Sequence, residues 1–344
     1  MGLLVSPGGL PLASALDKGR SHASRMGCTV RPHHERTTVI KLILVRLLWA
    51  TGTLGIASFL VFFLAHAVPG DPVAAYAGPQ ADSETRARLR REMRLDDPFV
   101  LQYARYMRRV AVGDWGHSFV TGENVVDAIR SRFPATAIIG LFGLAFGLFV
   151  GTTVGVFTAR YATAHLDAVV FLLTTLIISV PAFLLARLLQ YNLAYRLGIL
   201  PVAGFTSLWH LVLPIVCVAL PTAGYYARLV HGTMTEVLSH DYVRAARAHG
   251  LPEYVVLFYH ALPNAFIPVL AVLGADIAAV LGGVVFVESV FAVPGLGSLG
   301  LNAALHLDVP MIMGTVLFAT ALVVLCNLCV DLLHPLLDPR VRPK

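Results

Sequence analysis

Charge is scarce in this 344-residue chain, where Asp, Glu, Lys and Arg together make up 13% of residues. Lysine is confined to Lys18, Lys41 and Lys344. None of the three follows a glycine-rich loop and no G-x-x-x-x-G-K-[ST] occurs, so the chain does not bind ATP in the P-loop manner. There is no H-E-x-x-H, since His33-His-Glu-Arg36 lacks the spacing of a zinc-protease helix, and no G-x-S-x-G. An intramembrane protease needs a Ser–His pair or paired aspartates within apolar stretches, and Asp276 is the one aspartate deep inside such a stretch. We therefore assign no catalytic residue, no metal ligand and no cofactor to the chain. Whatever energy drives it comes from a partner or an ion gradient.

Cysteine is equally sparse: Cys28, Cys217, Cys326 and Cys329. Cys326-Asn-Leu-Cys329 has redox or metal spacing, but it falls inside an apolar stretch, where cysteine serves as a small packing residue. None of the four lies in an expected external loop, so no structural disulfide is expected.

Apolar residues are present in excess. At 57% hydrophobic and a mean hydropathy of +0.73, the chain has the membrane as its solvent. Crossing about 30 Å of hydrocarbon takes ~20 apolar residues in a helix, and six stretches qualify: Val39–Val68, Ala135–Thr158, Leu166–Leu189, Leu208–Leu229, Phe266–Ser289 and Val309–Leu333. They are too long and too continuously apolar for barrel strands, which alternate over about ten residues. The expected fold is an all-α integral membrane protein of six transmembrane helices.

The first stretch reads as a spanning anchor rather than a cleaved signal, because it is long, lacks a small-residue cleavage site and ends in Pro69-Gly-Asp-Pro72. Residues 1–38, rich in Gly, Pro, Ser, Arg and His, read as a disordered cytosolic tail, with Met26 as an alternative start. Arg25, Arg31, Arg36, Lys41 and Arg46, then Arg228, Arg244 and Arg247, then Arg340, Arg342 and Lys344, fall on one side of six spans. By the positive-inside rule that side is the cytoplasm, so both termini are cytoplasmic. The net charge of +6 reflects this topology and gives a nucleic-acid partner no support.

Residues 69–134 form the long external segment. A surface helix is expected over Ser83–Leu95, capped by Asp82 or Ser83, then a helix starting at Pro98, then a turn at Gly113-Asp-Trp-Gly-His-Ser118 with Trp115 near the membrane surface. About sixty residues exceed a mere connection and form a docking surface. In the second span, Gly140, Gly143, Gly147, Gly151 and Gly155 recur every three or four residues, a row that lets helices approach closely. Pro181 in the third span, with Pro214 and Pro221 in the fourth, should kink those helices or free carbonyls toward a cavity. The last two spans are joined by a glycine-rich turn from Phe291 that runs into a short amphipathic helix ending near Asp308.

The most informative stretch is Asp241-Tyr-Val-Arg-Ala-Ala-Arg-Ala-His-Gly250, followed at a fixed distance by His260-Ala-Leu-Pro-Asn264. It is a short polar helix with a glycine break between two apolar spans. Gly250 permits a positive φ at the helix end and Pro252 stops continuation. The bland alternative, an ordinary helix-turn, needs none of the later His-Ala-Leu-Pro-Asn.

This pattern of Ala245, Ala246, Gly250, His260, Leu262, Pro263 and Asn264 resembles the cytoplasmic coupling loop of binding-protein-dependent ABC importer permeases. The resemblance runs from about residue 40 to the C-terminus and is to the oligopeptide/dipeptide/nickel group. It includes Pro69-Gly-Asp-Pro72, Leu95-Asp-Asp-Pro-Phe99, Gly113-Asp-Trp-Gly116, Leu200-Pro-Val-Ala-Gly204, Glu288 with Phe291 and Pro294-Gly-Leu-Gly297, Asn327-Leu-Cys-Val-Asp331 and Leu337-Asp-Pro-Arg340. The 38-residue tail departs from the family pattern, as do Trp115, Cys326 and Cys329.

The resemblance implies the type I importer permease fold in a bacterial inner membrane. It also implies a coupling loop over 231–264, a permease core over 135–344, and one half of a peptide pathway completed by a homologous second permease. Two ATPase subunits holding ATP and Mg, and an extracytoplasmic binding protein, are the further implied partners. Coupling then falls to Asp241, Arg244, Ala245, Ala246, Gly250, His260, Leu262, Pro263 and Asn264. The small Ala245 and Ala246 let the helix lie flush in a groove on the ATPase, with Arg244 and Arg247 at the rim. Asp276, Glu288, Phe291, Pro294 and Gly295 are the pathway or gate candidates. For Asp276, attraction of a peptide's amino group competes with a buried structural partnership, and the latter is favoured. Nickel or another small solute is the alternative substrate, and an ion-coupled secondary transporter is the rival of a different class, disfavoured by the absence of an internal repeat.

Overall fold

The computed structural model of the chain describes residues 33–67, 82–92, 96–161, 163–282 and 284–337. The chain divides between residues 46 and 47, and the packing below lies after that point. Of the disordered tail expected over 1–38, residues 33–38 are helical; residues 1–32, the Pro69-Gly-Asp-Pro72 motif, Leu95 and residues 338–340 of the Leu337-Asp-Pro-Arg340 motif lie outside the described residues. Helix α1 (His33–Ala67) begins six residues before the Val39 expected from hydropathy. Among the described residues the chain is helical and has no β-strand.

Among the described residues, two helices build the segment after α1. Helix α2 (Ser83–Glu92) is opened by Asp82, whose Oδ1 accepts the Thr85 amide at 3.3 Å. Helix α3 (Phe99–Ala111) starts directly after Pro98, whose φ of −54° is preset for a helix entry. Its aromatic face packs on the end of α1: Phe62 meets Phe99 at 5.1 Å and Tyr103 at 5.5 Å between ring centroids, and the Ser58 and Tyr103 hydroxyls lie 2.7 Å apart. The expected turn follows. Gly113 and Gly116 take φ of +87° and +86°, and Asp114 between them receives Arg109 through two bonds of 2.7 and 3.1 Å. Those bonds hold the Asp114 carboxyl below the ordinary carboxylate range.

Helix α4 (Val125–Arg160) is the backbone of the bundle. It begins at Val125 rather than Ala135, because Asn124 caps it by accepting the Val126 amide at 2.9 Å. Gly140 of the glycine row faces Val280, and the rest face helix α7 (Leu208–Leu238): a Cβ placed on Gly143, Gly147, Gly151 or Gly155 would stand 2.7 Å from an α7 atom in every case. Two of those atoms are the carbonyl oxygens of Ala219 and Ala223, so nothing larger than glycine fits.

The third apolar stretch, expected over Leu166–Leu189 with a kink at Pro181, is two helices joined by a sharp bend. Helix α5 (Ala164–Ser179) and helix α6 (Ala182–Leu189, continuing as a π-helical turn over Gln190–Arg196) meet at 98°. Pro181 supplies the cause: it forces Val180 out of the helical region, to ψ 122°, and has no N–H to continue the ladder. Gln190 pins the far half by donating to the Val202 and Val290 carbonyls at 2.9 and 3.0 Å. Pro214 and Pro221 lie inside α7, which has no break at either.

After the short helix α8 (Asp241–Ala248) come α9 (Ile267–Leu281), α10 (Val285–Val290), α11 (Leu296–Leu305) and α12 (Val309–Leu337). The α11 helix is apolar rather than amphipathic, with Leu296, Leu299 and Ala303 buried and Leu301 and Leu305 exposed. By length and composition five helical stretches among the described residues can cross a membrane, and six if the bent α5–α6 pair is one crossing.

Candidate functional site

The two halves of the motif at 241–264 fold into one unit. Val243 and Ala246, three residues apart on α8, are buried among Val230, Met234 and Val237 of α7 and Val256, Leu257 and Ala261 beyond it. The opposite face presents Tyr242, Arg244, Ala245 and Ala248 outward. Ala246 therefore cannot lie against another protein as expected from the sequence; its small size serves close packing inside the chain, and Ala245 alone of the pair is available. Asp241 pairs with Arg244 at 2.9 Å, but with the two side chains 96% and 70% exposed the pair contributes little to stability.

Gly250 closes α8. Its φ is +77°, its amide bonds the Arg247 carbonyl at 3.0 Å and the Leu251 amide reaches the Ala246 carbonyl at 3.4 Å, the double bond of a Schellman turn. Nothing stands within 4 Å of a Cβ there. The chain returns through Glu253–Val255, a π-helical turn over Val256–Ala261, and Leu262–Ala265. Pro263, without an N–H, cannot donate to the carbonyl four residues back, which accounts for the widened turn before it. Asn264 then locks the unit: its Nδ2 donates to the Tyr242 hydroxyl at 3.1 Å and to the His260 carbonyl at 3.0 Å. His260 and Leu262 are half-buried and Pro263 is exposed.

Beneath this unit lies a charged contact that the sequence reading did not single out. The Glu253 carboxylate accepts Arg247 through bonds of 2.9 and 3.3 Å and also meets Arg160 Nε, on the last turn of α4, at 3.0 Å. Arg160 is further steadied by the Tyr161 ring, 5.3 Å from its guanidinium carbon.

The gate candidates separate into two places. Glu288 on α10 is fully buried, and no cation meets it among its described hydrogen bonds and ion pairs. Thr136 of α4 donates its hydroxyl to Oε1 at 2.7 Å, and the Ser298 amide donates to Oε2 at 2.7 Å. Thr136 in turn accepts the Leu296 amide at 2.7 Å. The carboxylate thus sits at the start of α11, where unpaired amides and the helix dipole favour a negative group. It occupies the volume a Cβ on Gly295 would need, at 2.2 to 2.5 Å. Phe291 and Gly295 are buried in the same knot while Pro294 is exposed. Glu288 is accordingly a fastening inside the fold and does not face an open passage.

Asp276 lies apart, half-buried on α9, and accepts the hydroxyl of the fully buried Tyr226 at 2.6 Å. The partnership foreseen for it exists, but with a tyrosine rather than an arginine or backbone group. Thr136, Ser298, Tyr226 and Glu253 were invisible to motif reasoning; the one signal was a lone polar residue in an apolar run. Asp308, at the turn before α12, accepts the Phe119 amide at 3.0 Å and the Ser118 hydroxyl, tying the turn after α3 to the bundle. Among the described residues no three His, Cys, Asp or Glu side chains converge as a metal site would require, and Cys217, Cys326 and Cys329 are free thiols.

Comparison with known proteins fits this architecture. Residues 151–343 match the family described as the binding-protein-dependent transport system inner membrane component, and residues 39–140 match its N-terminal companion. A Sinorhizobium fredii protein named as a peptide ABC transporter permease is 36% identical over 308 residues, 87% of this chain and 98% of its own. A Brucella abortus protein named as a peptide transport system permease is 39% identical over 309 residues, covering 88% and 98%. The glutathione transport system permease protein GsiC of Salmonella paratyphi A is 36% identical over 306 residues, covering 89% of this chain and the whole of that protein. With both halves of the chain matched and the span architecture in place, this protein belongs to the family of inner-membrane permease components of binding-protein-dependent transport systems.

Proposed function

We infer that the chain is one of two permease subunits of an ATP-driven importer of short peptides, and that α8 with the 253–265 segment is its contact with the ATPase. The observation that carries this reading is the closed unit at 241–264. An exposed helix face bearing Ala245 and Arg244 is anchored through Val243 and Ala246, ended by Gly250 and tied back by Asn264 to Tyr242. A loop with no task has no need of such rigidity, whereas a lever has.

On this reading both termini are cytoplasmic, and a homologous permease completes the passage. Two ATPase subunits bind ATP and Mg, and an extracytoplasmic binding protein delivers the peptide. The chain itself does no catalysis and holds no cofactor. ATP-driven closure of the ATPases moves α8, and the spans open to the binding protein; hydrolysis returns them. Peptide as substrate is supported by relatives named for peptide and glutathione transport, glutathione being itself a tripeptide.

The test is ATP hydrolysis by the complete complex in lipid, with alanine peptides of increasing length, glutathione and Ni²⁺ supplied to the binding protein. Stimulation by peptides supports the reading, and stimulation by Ni²⁺ alone moves the chain to metal import. Gly250→Asp sharpens it. Because no atom stands near that Cβ, the variant inserts and packs, yet loses uptake through strain at positive φ and a bulky charge on the docking face. Wild-type uptake by Gly250→Asp would remove the coupling assignment.

A further inference from the structure

We propose that Glu253 is the positioning residue that transmits motion from α8 to α4, acting as a strut between Arg247 and Arg160. This rests on α8 being the ATPase contact.

The apolar anchor of α8 runs to α7 and the 253–265 segment through Val243 and Ala246. The charged link to α4 runs through one carboxylate, with Arg247 of α8 at 2.9 Å and Arg160 of α4 at 3.0 Å from the same oxygen, Oε1. Glu253 is well placed for this. It is the first residue after Pro252, whose ring fixes the chain direction, and it opens a helical turn directly behind the Gly250 reversal. Arg160 is equally constrained, on the final turn of α4 and against Tyr161. Beyond Arg160, α4 carries the glycine row that meshes with α7 at contact distance. A displacement of Arg160 therefore moves α4 against a surface that allows no slack.

The three side chains are between 33% and 39% exposed, so the strut is a solvated contact that can open and re-form. Arg160 lies outside the 231–264 loop, and Arg247, expected at the docking rim, turns instead to Glu253, which is not on α8. The strut's role is in the direction of transmitted force rather than in docking.

The experiment compares wild type with Arg160→Gln, Arg160→Lys, Glu253→Gln and the double variant Arg160→Gln/Glu253→Gln, each in the complete complex in lipid. Three quantities are read: retention of the ATPase subunits, basal hydrolysis, and glutathione or alanine-peptide uptake per ATP hydrolysed. Arg160→Gln is expected to keep the complex and its basal hydrolysis while uptake per ATP falls about three- to five-fold, the upper part of the range open to one exposed charge contact. Arg160→Lys restores most of it, and the double variant is no worse than either single one. Unchanged uptake per ATP in both single variants overturns the strut. So do additive losses in the double variant, or equal loss of basal and stimulated hydrolysis. A wild-type complex that never retains its ATPases is a separate failure, of the function reading itself.

Discussion

Helix α4 is fastened to the rest of the chain at two places by carboxylates that work in opposite ways. A third of the way along it, Thr136 donates to Glu288, which is fully buried and held by neutral donors. At its last turn, Arg160 donates to Glu253, which is one-third exposed and held by cations. The two contacts lie about 36 Å apart along the helix, at a 1.5 Å rise per residue. A buried acceptor with only neutral donors is costly to disturb, because every group left behind is stranded away from water. A solvated ion pair is cheap to break and to remake. The Glu288 contact is a fixed fastening of α4 and the Glu253 contact a releasable one.

Between these contacts lies the glycine seam, whose disruption should exceed either. Gly151→Val puts a Cβ 2.7 Å from the Ala223 carbonyl and 2.8 Å from the Tyr226 Cβ. Backbone cannot turn aside, so the cost is expected at about 3 kcal/mol or more, the upper end for overpacking. The measurement is the yield of monodisperse protein and its unfolding temperature in detergent. Gly52→Val, in open space on α1, is the control and should leave both unchanged. A stable Gly151→Val protein would show that the seam has slack, and the contrast between the two contacts of α4 would lose its rigid connection.

The next effect is at Glu288. Glu288→Ala strands the Ser298 amide and the Thr136 hydroxyl, at about 1–3 kcal/mol for each unsatisfied group. Glu288→Gln keeps one acceptor oxygen but turns an NH₂ toward a donor, and should fall between. Thermal unfolding together with proteolysis in the 291–298 stretch reads both. Thr136→Val tests the same knot from the α4 side, since it removes the donor to Glu288 and the acceptor for the Leu296 amide together. If Glu288→Ala unfolds at the wild-type temperature, Glu288 is no fastening and returns to candidacy as a pathway residue.

How far these features could be read without coordinates depended on their range along the chain. The glycine row was legible because a three-to-four spacing reports a helix face directly. The break at Pro181 was legible as a kink, but its 98° extent was not, since no local pattern reports an angle. Gly250 and Asn264 were legible as one motif, and the structure joins them through Tyr242. Ala246 was misjudged because a small residue looks the same whether it faces a partner or its own core. The start of α4 was missed because Asp127, Arg130 and Arg132 read as loop by hydropathy, whereas the Asn124 cap begins the helix there. Thr136 stands 152 residues before Glu288, and no local pattern connects a single threonine in an apolar run to a carboxylate that far away.

The smallest expected effect separates the two contacts most cleanly, because it needs no substitution. Salt shortens the reach of an exposed charge from about 10 Å at 0.1 M to about 3 Å at 1 M, and leaves a buried neutral network almost untouched. Uptake per ATP by the wild-type complex should therefore decline gently as salt is raised, by about two-fold, in line with the modest worth of a surface pair. The unfolding temperature, governed by the seam and the Glu288 knot, should stay level over the same range. The decline should vanish in Arg160→Gln, where the strut is already gone, and persist in Glu288→Gln. The comparison fails if Arg160→Gln shows the wild-type slope, since the salt sensitivity would then belong to docking of the ATPase or the binding protein and not to Glu253.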